Sequence, residues 1–357
     1  MIPVLSHASA RLAWAREVLG DNHLKLAPAS ADASFRSYWR TQNAGQSWIV
    51  MDSPPAQEDP RPWLDIGARL AGAGLHVPAV RAHDLQRGFL LIEDLGSRLY
   101  LPELRNDTVD ALYGAALDAL LRMQCVVAAD DLPTYDRAFL SRELELMPEW
   151  FLGTHLGCTP TCEEWDALEE AFTIVLHAAL EQPRCFVHRD YHSRNLLIVD
   201  EVSAVPPTPG GAEMHASDPL LGNPGIIDFQ GALHGPITYD LASLLRDCYI
   251  VWDRQRVEAW VENYRQRLLG TRWHSEIPDQ ARFLRWFDLT GLQRHIKVLG
   301  IFCRLHYRDG KVGYLDDLPR VYRYVIDVAG RYPELHAFTA LLRHYVGARD
   351  LRATVSA

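Results

Sequence analysis

Residues 186–195 read FVHRDYHSRN, and residues 226–230 read IIDFQ. In the first string an apolar run leads into His-x-Asp, and Asn195 follows Asp190 after five residues. In the second string Asp228 follows another apolar run, 33 residues beyond Asn195. Phosphoryl transfer from a magnesium nucleotide needs one carboxylate at the acceptor hydroxyl, and an amide and a second carboxylate on the metal. Chance seldom supplies both strings in this order, so together they predict a kinase-type site.

The composition is that of an ordinary globular protein. The chain has 357 residues, of which 48% are hydrophobic and 23% charged, and its formal charge is −10. Because nucleic-acid binding needs a basic surface, we expect no nucleic-acid partner, and local cations with magnesium must hold a nucleotide. Six scattered cysteines predict buried thiols in a reducing compartment. No run of 18 apolar residues exists, so we expect no membrane span and a cytoplasmic location.

Two kinds of periodicity divide the chain. Between residues 24 and 52 the strings LKLAP, SFRSYWR and SWIVMD are rich in β-formers and separated by turn residues, which predicts an antiparallel meander. Further strands are expected at 77–83 and 88–93. Helical spacing predicts helices at 9–19, 63–73, 109–127, 136–156, 163–180, 239–252, 256–269, 279–305, 318–328 and 333–346. The pattern predicts an α+β fold with a β-rich lobe at 1–95 and a mainly helical lobe at 96–357.

Residues 201–224 differ in character from the rest of the chain. Most of this stretch reads PPTPGGAEMHASDPLLGNP, which is rich in Pro, Gly and small polar residues. It lies between two predicted strands that a tight hairpin would join. We interpret it as a surface insertion without a role, and the alternative is a lid over the site.

The motif strings resemble those of a known family. HRDYHSRNLL, IIDFQ and YDLASLL (239–245) are similar to motifs of the aminoglycoside phosphotransferase and choline kinase branch of the protein-kinase-like bilobal fold, over roughly residues 20–320. The strings MDSPP, GLHVP, LIEDLG, FQGALHGPITYDLASLLRD and LQRHIKVLGIFCRL resemble the bacterial anomeric kinases of N-acetylmuramate and N-acetylglucosamine. The resemblance implies ATP and Mg²⁺ as cofactors, and transfer to the C1 hydroxyl of an amino sugar during cell-wall sugar recycling.

The same resemblance implies roles for the motif residues. Asp190 would accept the proton of the sugar hydroxyl, with positioning more important than basicity. Asn195 and Asp228 would bind magnesium through hard oxygen donors. His188, at the end of an apolar strand, is expected to be structural. Asp240 is expected to begin its helix and to tie back to the catalytic loop.

The phosphate-binding lysine of the wider kinase fold is absent. The strand WIVMD has Met51 and Asp52 where the lysine is expected, and Lys25 lies too early to replace it. Arg36 or Arg40 is the candidate for the missing positive charge. The MDSPP string fits the narrower resemblance, so we interpret the lost lysine as a family variation.

Other nucleotide contacts are expected in two places. Residues 29–37 resemble a loop that covers the nucleotide, with Ser30 and Ser34 and backbone N–H groups toward the phosphates. In LIEDLG, backbone groups of Glu93 and Leu95 would contact the adenine.

The sugar pocket is expected to contain cationic side chains, because the carboxylate of N-acetylmuramate favours Arg or Lys. Loop residues beside the base and residues of the downstream helices supply the candidates: His192, Arg194, Arg246, Arg294, His295, Lys297 and Arg304. We expect a monomer that binds a small amino sugar and a nucleotide.

Two other readings stay open at the level of sequence. In the first, the protein is still a kinase but its acceptor is an aminoglycoside, choline or a ketosamine. The acidic residues, however, do not cluster as an aminoglycoside pocket requires. Alternatively, the lost lysine marks a pseudokinase that binds a nucleotide or a partner. The intact Asp190, Asn195 and Asp228 argue against this second reading.

Overall fold

The computed structural model describes residues 7–31, 35–199 and 224–354. Two structural units divide the chain. Residues 1–123 and 194–231 form the first, here called the sheet unit, and residues 124–193 and 232–357 form the second, the helical unit. The α+β class predicted from the sequence is confirmed, since one unit contains a five-stranded sheet and the other is mainly helical.

The sheet is antiparallel, and its strand order is β1-β2-β3-β5-β4. Its strands are β1 (Ala27–Ala31), β2 (Ser37–Asn43), β3 (Gln46–Asp52), β4 (Val80–Asp84) and β5 (Phe89–Glu93). Ala44 and Gly45 join β2 to β3 with φ values of 49° and 81°, as a two-residue hairpin requires. The predicted meander is therefore confirmed.

The leading helix α1 (His7–Leu19) packs on this sheet. Trp14 belongs to a buried cluster with Trp48 and Val50 of β3 and with Phe89 and Leu91 of β5. Every residue of β5 is buried, as expected for a strand covered on both faces.

The remaining elements of the sheet unit are α2 (Arg61–Gly72), α3 (Tyr100–Glu103), most of α4 (Val109–Val126), and the paired strands β7 (Leu196–Leu197) and β8 (Gly225–Ile226). The unit differs from the predicted lobe at 1–95. The Arg122 side chain of α4 donates to the Ala73 carbonyl, and the Ile226 N–H donates to the His76 carbonyl, so both later segments join the early ones. The stretch 201–223 of the predicted insertion lies outside the described residues.

The helical unit contains a two-stranded pair, β6 (Arg184–Val187) and β9 (Leu233–Pro236). Its helices are α5 (Arg137–Leu144), a π-helix (Met147–His155), α6 (Cys162–Leu180), α7 (Tyr239–Leu245), α8 (Arg254–Leu269), α9 (Gln280–Tyr307), a 3₁₀ turn (Val312–Asp317), α10 (Leu318–Ala329), a second 3₁₀ turn (Pro333–Leu335) and α11 (His336–Val346). Helix α9 is buried along most of its length.

Two helix predictions were wrong in extent. The helix expected at 136–156 is divided into α5 and the π-helix, where the backbone of Leu146 approaches α9 so closely that a Cβ on Gly300 would lie 2.3 Å from it. The helix expected at 239–252 ends at Leu245, because the chain turns at Arg246. That turn brings Asp247 to the catalytic loop, as described below.

None of the helices in the described ranges is long and apolar enough to cross a membrane.

Candidate active site

A buried carboxylate holds the loop that carries Asp190. Asp240, in the first turn of α7, accepts hydrogen bonds from the backbone N–H groups of His188 (2.6 Å) and Arg189 (3.0 Å). The Asp190 N–H donates to Nδ1 of His188 at 3.3 Å, and the His188 side chain is fully buried. Arg189 has φ 78°, a strained conformation for a residue with a Cβ. The tie between Asp240 and the loop that the sequence indicated is present as these hydrogen bonds.

Burial determines the protonation of this anchor. It raises the pKa of Asp240 to about 7, although the two hydrogen bonds from the loop act in the opposite direction.

Asp247 is a second anchor of the same loop, and the sequence analysis did not identify it. Its Oδ2 accepts the backbone N–H of Ser193 at 3.0 Å and also the Ser193 hydroxyl. Its Oδ1 accepts the N–H of Tyr249 at 3.0 Å. The loop is therefore held near both of its ends. Asp247 lay inside the helix predicted at 239–252, and only the observed end of α7 at Leu245 places it in a turn.

Glu143 is a buried carboxylate that two cations share. It accepts hydrogen bonds from Arg189 Nη2 at 2.8 Å and from the Tyr135 hydroxyl, and Lys297 Nζ lies 2.7 Å from its Oε1. Burial alone would raise the pKa of Glu143, but the charges of Lys297 and Arg189 hold it below its usual value. Glu143 was missed because its cationic partners lie 46 and 154 residues away along the chain.

The same cations act on Asp190. Burial would raise the pKa of this carboxyl, but the positive charge of Lys297, followed by those of His192, Arg189 and Arg294, holds its pKa below the usual value. Asp190 is therefore ionised at neutral pH and can accept a hydrogen bond from a hydroxyl group.

Asp190 lies in the wall of a cavity of about 490 Å³ inside the helical unit, a volume typical of small-molecule sites. The cavity is rich in positive charge. Its ionisable wall residues, apart from His192, are five cations and two carboxylates: Arg142, Arg189, Arg294, Lys297, Arg304, Glu143 and Asp190. A second cavity of about 640 Å³ in this unit contains none of the predicted site residues.

Aromatic rings form another part of the cavity wall. Phe302 stacks on Tyr249 with ring centroids 6.3 Å apart and lies 5.2 Å from Tyr314. The rings of His192 and Tyr249 meet edge to face, with centroids 5.6 Å apart. Such a surface suits the apolar face of a sugar ring, while the charged groups suit its polar substituents.

Four of the seven predicted sugar-binding residues line this cavity: His192, Arg294, Lys297 and Arg304. Arg246 and His295 do not. Arg246 donates to Asp288, which also accepts two hydrogen bonds from Arg254. The Nε2 atom of His295 lies 2.8 Å from the Arg246 carbonyl, and the ring stacks on Tyr324 at 4.6 Å. These partners give Arg246 and His295 a packing role in place of the predicted sugar contact.

The predicted metal ligands meet inside the sheet unit. Asn195 Nδ2 lies 3.4 Å from Asp228 Oδ2, and the Ile227 N–H donates to the Asn195 carbonyl at 3.1 Å. Asp228 has φ 64° and keeps a third of its side chain exposed. Asn195 directly precedes β7 and Asp228 follows β8, so the pairing of these two strands brings the two side chains together.

This pair fits a magnesium ion. A carboxylate and an amide provide the hard oxygen atoms that magnesium prefers, and waters and phosphates usually complete its coordination.

Arg36 lies beside the same carboxylate. Its Nη2 donates to Asp228 Oδ1 at 3.1 Å, and its Nε lies 3.4 Å from Glu58 Oε1. The Arg36 side chain is buried. A cation between the aspartate of the predicted metal site and a glutamate has the surroundings expected of the missing lysine.

Asp52, at the position where the lysine was expected, has a structural surrounding. It is buried and accepts a hydrogen bond from Arg11 Nη1 at 2.7 Å, and His7 Nε2 lies 2.8 Å from its other oxygen. Both partners belong to α1, so Asp52 anchors the leading helix to β3.

Arg40, the other candidate for the missing positive charge, is paired with Asp94. It donates two hydrogen bonds to that carboxylate, at 2.6 and 2.9 Å, and a third to the Gly96 carbonyl. Asp94 lies between Glu93 and Leu95, so Arg40 stabilises the segment expected to contact adenine.

The backbone of this segment is closely packed. The Glu93 N–H donates to the Ala79 carbonyl at 2.8 Å. A Cβ on Gly225 would lie 3.0 Å from Leu95 Cδ1 and 2.9 Å from Val199 Cγ2, so this position needs glycine. Three further predictions stay predictions: the backbone of Ser30 pairs with Tyr38, Ser34 lies outside the described residues, and Arg194 is exposed.

Comparisons with known proteins agree with this geometry. The profile of the phosphotransferase enzyme family matches residues 25–205 and 220–284. A relative from Pseudomonas aeruginosa, an N-acetylmuramate/N-acetylglucosamine kinase, is 45% identical over 89% of this chain and 88% of its own. A protein of the same name from Pseudomonas putida is 43% identical over 91% of this chain and 89% of its own.

A solved structure shows the same fold. Plasmodium vivax ethanolamine kinase has a TM-score of 0.59 and covers 91% of each chain at 11% identity. At this identity the likeness concerns the fold alone, whereas the profile and the two relatives concern the family. The chain belongs to the phosphotransferase enzyme family.

Proposed function

We propose that this protein is an ATP-dependent sugar kinase that phosphorylates the C1 hydroxyl of N-acetylmuramate and N-acetylglucosamine in cell-wall sugar recycling. The observation that carries the proposal is the identity of 45% and 43% to two kinases named for these sugars, over about nine-tenths of the chain. We further propose that the protein acts as a monomer in the cytoplasm.

In the proposed reaction Asp190 accepts a hydrogen bond from the C1 hydroxyl and takes its proton late. The ionised state of Asp190 supports this role, and the tethers from Asp240 and Asp247 orient the loop. An anomeric hydroxyl is more acidic than an ordinary alcohol, so a carboxylate with a low pKa is sufficient. Positioning is the main contribution in a loose phosphoryl-transfer transition state.

Asn195 and Asp228 would hold a magnesium ion, which would supply positive charge to the phosphate groups of the nucleotide. Arg36 would bind phosphate oxygens in place of the absent lysine. Its support is the pairing with Asp228 and Glu58, because these carboxylates keep a buried guanidinium in a fixed orientation.

The charge of the cavity bears on the other acceptors. With five cations and two carboxylates, the cavity wall has an excess of positive charge. This excess would repel a polycationic aminoglycoside, and it would repel the ammonium group of choline despite the aromatic wall. The same excess suits a sugar that carries a carboxylate. A pseudokinase would have no need of an ionised Asp190 held by two buried aspartates.

The test is phosphate transfer from ATP by the purified protein with magnesium and a panel of acceptors. The two amino sugars, an aminoglycoside, choline and a ketosamine are compared, and the product of the amino sugars is expected to be an acid-labile 1-phosphate. Asp190→Asn is the matched control, and we expect it to lower kcat by about 10³-fold. Turnover of another acceptor in preference to both amino sugars would reject the proposal.

A further inference from the structure

Arg294 differs from the other cations of the cavity in what surrounds it. Arg189 and Lys297 both contact Glu143, at 2.8 and 2.7 Å. Arg294 is only 5% exposed and forms no ion pair with a carboxylate of the described residues. Its Nε and Nη1 atoms are buried and have no hydrogen-bond partner among those residues. Its guanidinium lies over the ring of Tyr239, with the Arg294 Cζ 5.3 Å from the ring centroid.

A buried guanidinium with two unused N–H groups is costly unless another group binds it. Burying a charge or a polar group without a partner is unfavourable, and proteins usually avoid it by pairing. Arginine presents its donors as a planar fork that matches a carboxylate or a phosphate. Because Arg294 lines the cavity, an anionic group of a bound ligand is the partner that this arrangement lacks.

The two proposed substrates differ by such a group. N-acetylmuramate is N-acetylglucosamine with a lactyl ether on O3, and the lactyl group ends in a carboxylate. With the C1 hydroxyl at Asp190, this carboxylate lies within the length of one sugar from the base. We propose that Arg294 binds the lactyl carboxylate of N-acetylmuramate and thereby determines the preference between the two sugars. This inference rests on the proposed function.

The other cations of the cavity fit this role less well. Lys297 is already held by Glu143 and also lies 3.5 Å from the Tyr239 hydroxyl. Arg304 also has one buried donor atom, Nε, without a hydrogen-bond partner among the described residues, but its side chain is only half-buried and lies ten residues further along α9, about 15 Å along the helix axis. Arg294 is close enough to Asp190 for its charge to lower the pKa of that carboxyl, whereas Arg304 has no such effect among the leading causes.

The experiment compares kcat/KM for the two sugars in Arg294→Gln and in Arg304→Gln. For Arg294→Gln we expect a fall of about 100-fold with N-acetylmuramate and less than about threefold with N-acetylglucosamine, since a buried charged pair loses its donor only in the first case. For Arg304→Gln we expect the ratio between the sugars to stay within about threefold of the unchanged protein. Turnover of N-acetylglucosamine also reports that each variant is folded.

A change in the substrate provides a second test, and its first measurement uses only the unchanged protein. The amide of N-acetylmuramate has a neutral group in place of the carboxylate. With this amide the kcat/KM of the unchanged protein should fall about as much as the kcat/KM of Arg294→Gln falls with the acid. In Arg294→Gln, and to a smaller degree in Arg294→Lys, the acid and the amide should be used more equally. An equal loss for both sugars in Arg294→Gln, or a change of the ratio in Arg304→Gln alone, would overturn the assignment.

The failure of this inference is distinct from the failure of the proposed function. If the unchanged protein phosphorylates neither sugar, the proposed function is rejected and the inference with it. If it phosphorylates both and discriminates between the acid and the amide no better than Arg294→Gln does, only the role of Arg294 is rejected.

Discussion

The sheet unit and the cavity of the helical unit treat buried arginines differently. In the sheet unit each of the three arginines near the predicted nucleotide site has a carboxylate of its own. Arg11 contacts Asp52 at 2.7 Å, Arg40 contacts Asp94 at 2.6 Å, and Arg36 contacts Asp228 at 3.1 Å. The last pair includes a predicted metal ligand, and the first two do not.

In the cavity of the helical unit the carboxylates are fewer than the cations. Glu143 serves both Arg189 and Lys297, while Arg294 contacts no carboxylate of the described residues. A paired arginine mainly supports the fold or orients a neighbour, whereas a buried arginine with unused donors can bind an anion. The pairing of each cation is therefore a better guide to its role than its position in a motif.

Removal of the shared carboxylate should have the largest effect. In Glu143→Ala, Lys297 and Arg189 stay buried without their counter-charge, so we expect the free energy of unfolding to fall by about 3–5 kcal/mol. Urea unfolding followed by circular dichroism measures this change. Glu145→Ala, an exposed glutamate two residues along the chain, is the control, with an expected change of at most about 0.5 kcal/mol. Equal stability of the two variants would mean that the cations have other counter-charges.

The second comparison sets Arg36 against Arg40. If Arg36 replaces the missing lysine, Arg36→Met should lower kcat/KM for ATP by about 100-fold, roughly 3 kcal/mol of transition-state stabilisation. Arg40→Met should change it by less than about tenfold, because Arg40 is bound to Asp94 and a third of its side chain is exposed. Steady-state kinetics with varied ATP separates the two. A larger loss in Arg40→Met would assign the phosphate contact to Arg40 instead.

The sequence predicted what is local. Asn195 directly precedes the apolar strand β7 and Asp228 follows the apolar strand β8, and their meeting follows from the pairing of these two strands. The loop tether from Asp240 followed from its place at the beginning of a helix. Such features depend on neighbours within a few residues, or on one strand pairing, and a motif records both.

The partners of the charged residues could not be predicted in the same way. Glu58 reaches Arg36 and Glu143 reaches Lys297 through packing of distant elements, which no local spacing encodes. Helix α9 is buried almost all round, so helical periodicity could not decide that Arg294 faces the cavity and His295 does not.

The tether from Asp247 is a positioning contact that the comparison can test. Asp247→Asn keeps one oxygen, so either both donors of Ser193 or the N–H of Tyr249 lose their acceptor, and we expect kcat to fall by about tenfold, near 1.4 kcal/mol, in a folded protein. Asp253→Asn is the matched control, because Asp253 only caps α8. The hydrogen bonds that Ser193 donates to Asp247 would be structural alone if kcat were unchanged while stability fell, and a Ser193→Ala variant with normal kcat would support that conclusion.

His295 should give the smallest effect at neutral pH, and it tests whether this buried side chain belongs to the fold and not to the sugar site. Burial, aided by the charge of Arg294, lowers the pKa of His295 to about 3. Since the unfolded chain binds this proton below about pH 6.5, the contribution of His295 to stability is complete above that pH and is lost as the pH falls toward 3. Between pH 7 and pH 5 the loss is about 2 kcal/mol.

His295→Gln should remove this part of the pH dependence, measured as the difference between the unfolding free energies of the two proteins at each pH, so that the opposite trend of Asp240 cancels. His23→Gln, an exposed histidine of the sheet unit, should leave the profile unchanged. Parallel profiles of the unchanged protein and His295→Gln would show that the imidazole binds a proton in the folded state, and His295 would then be an additional cation near Arg294.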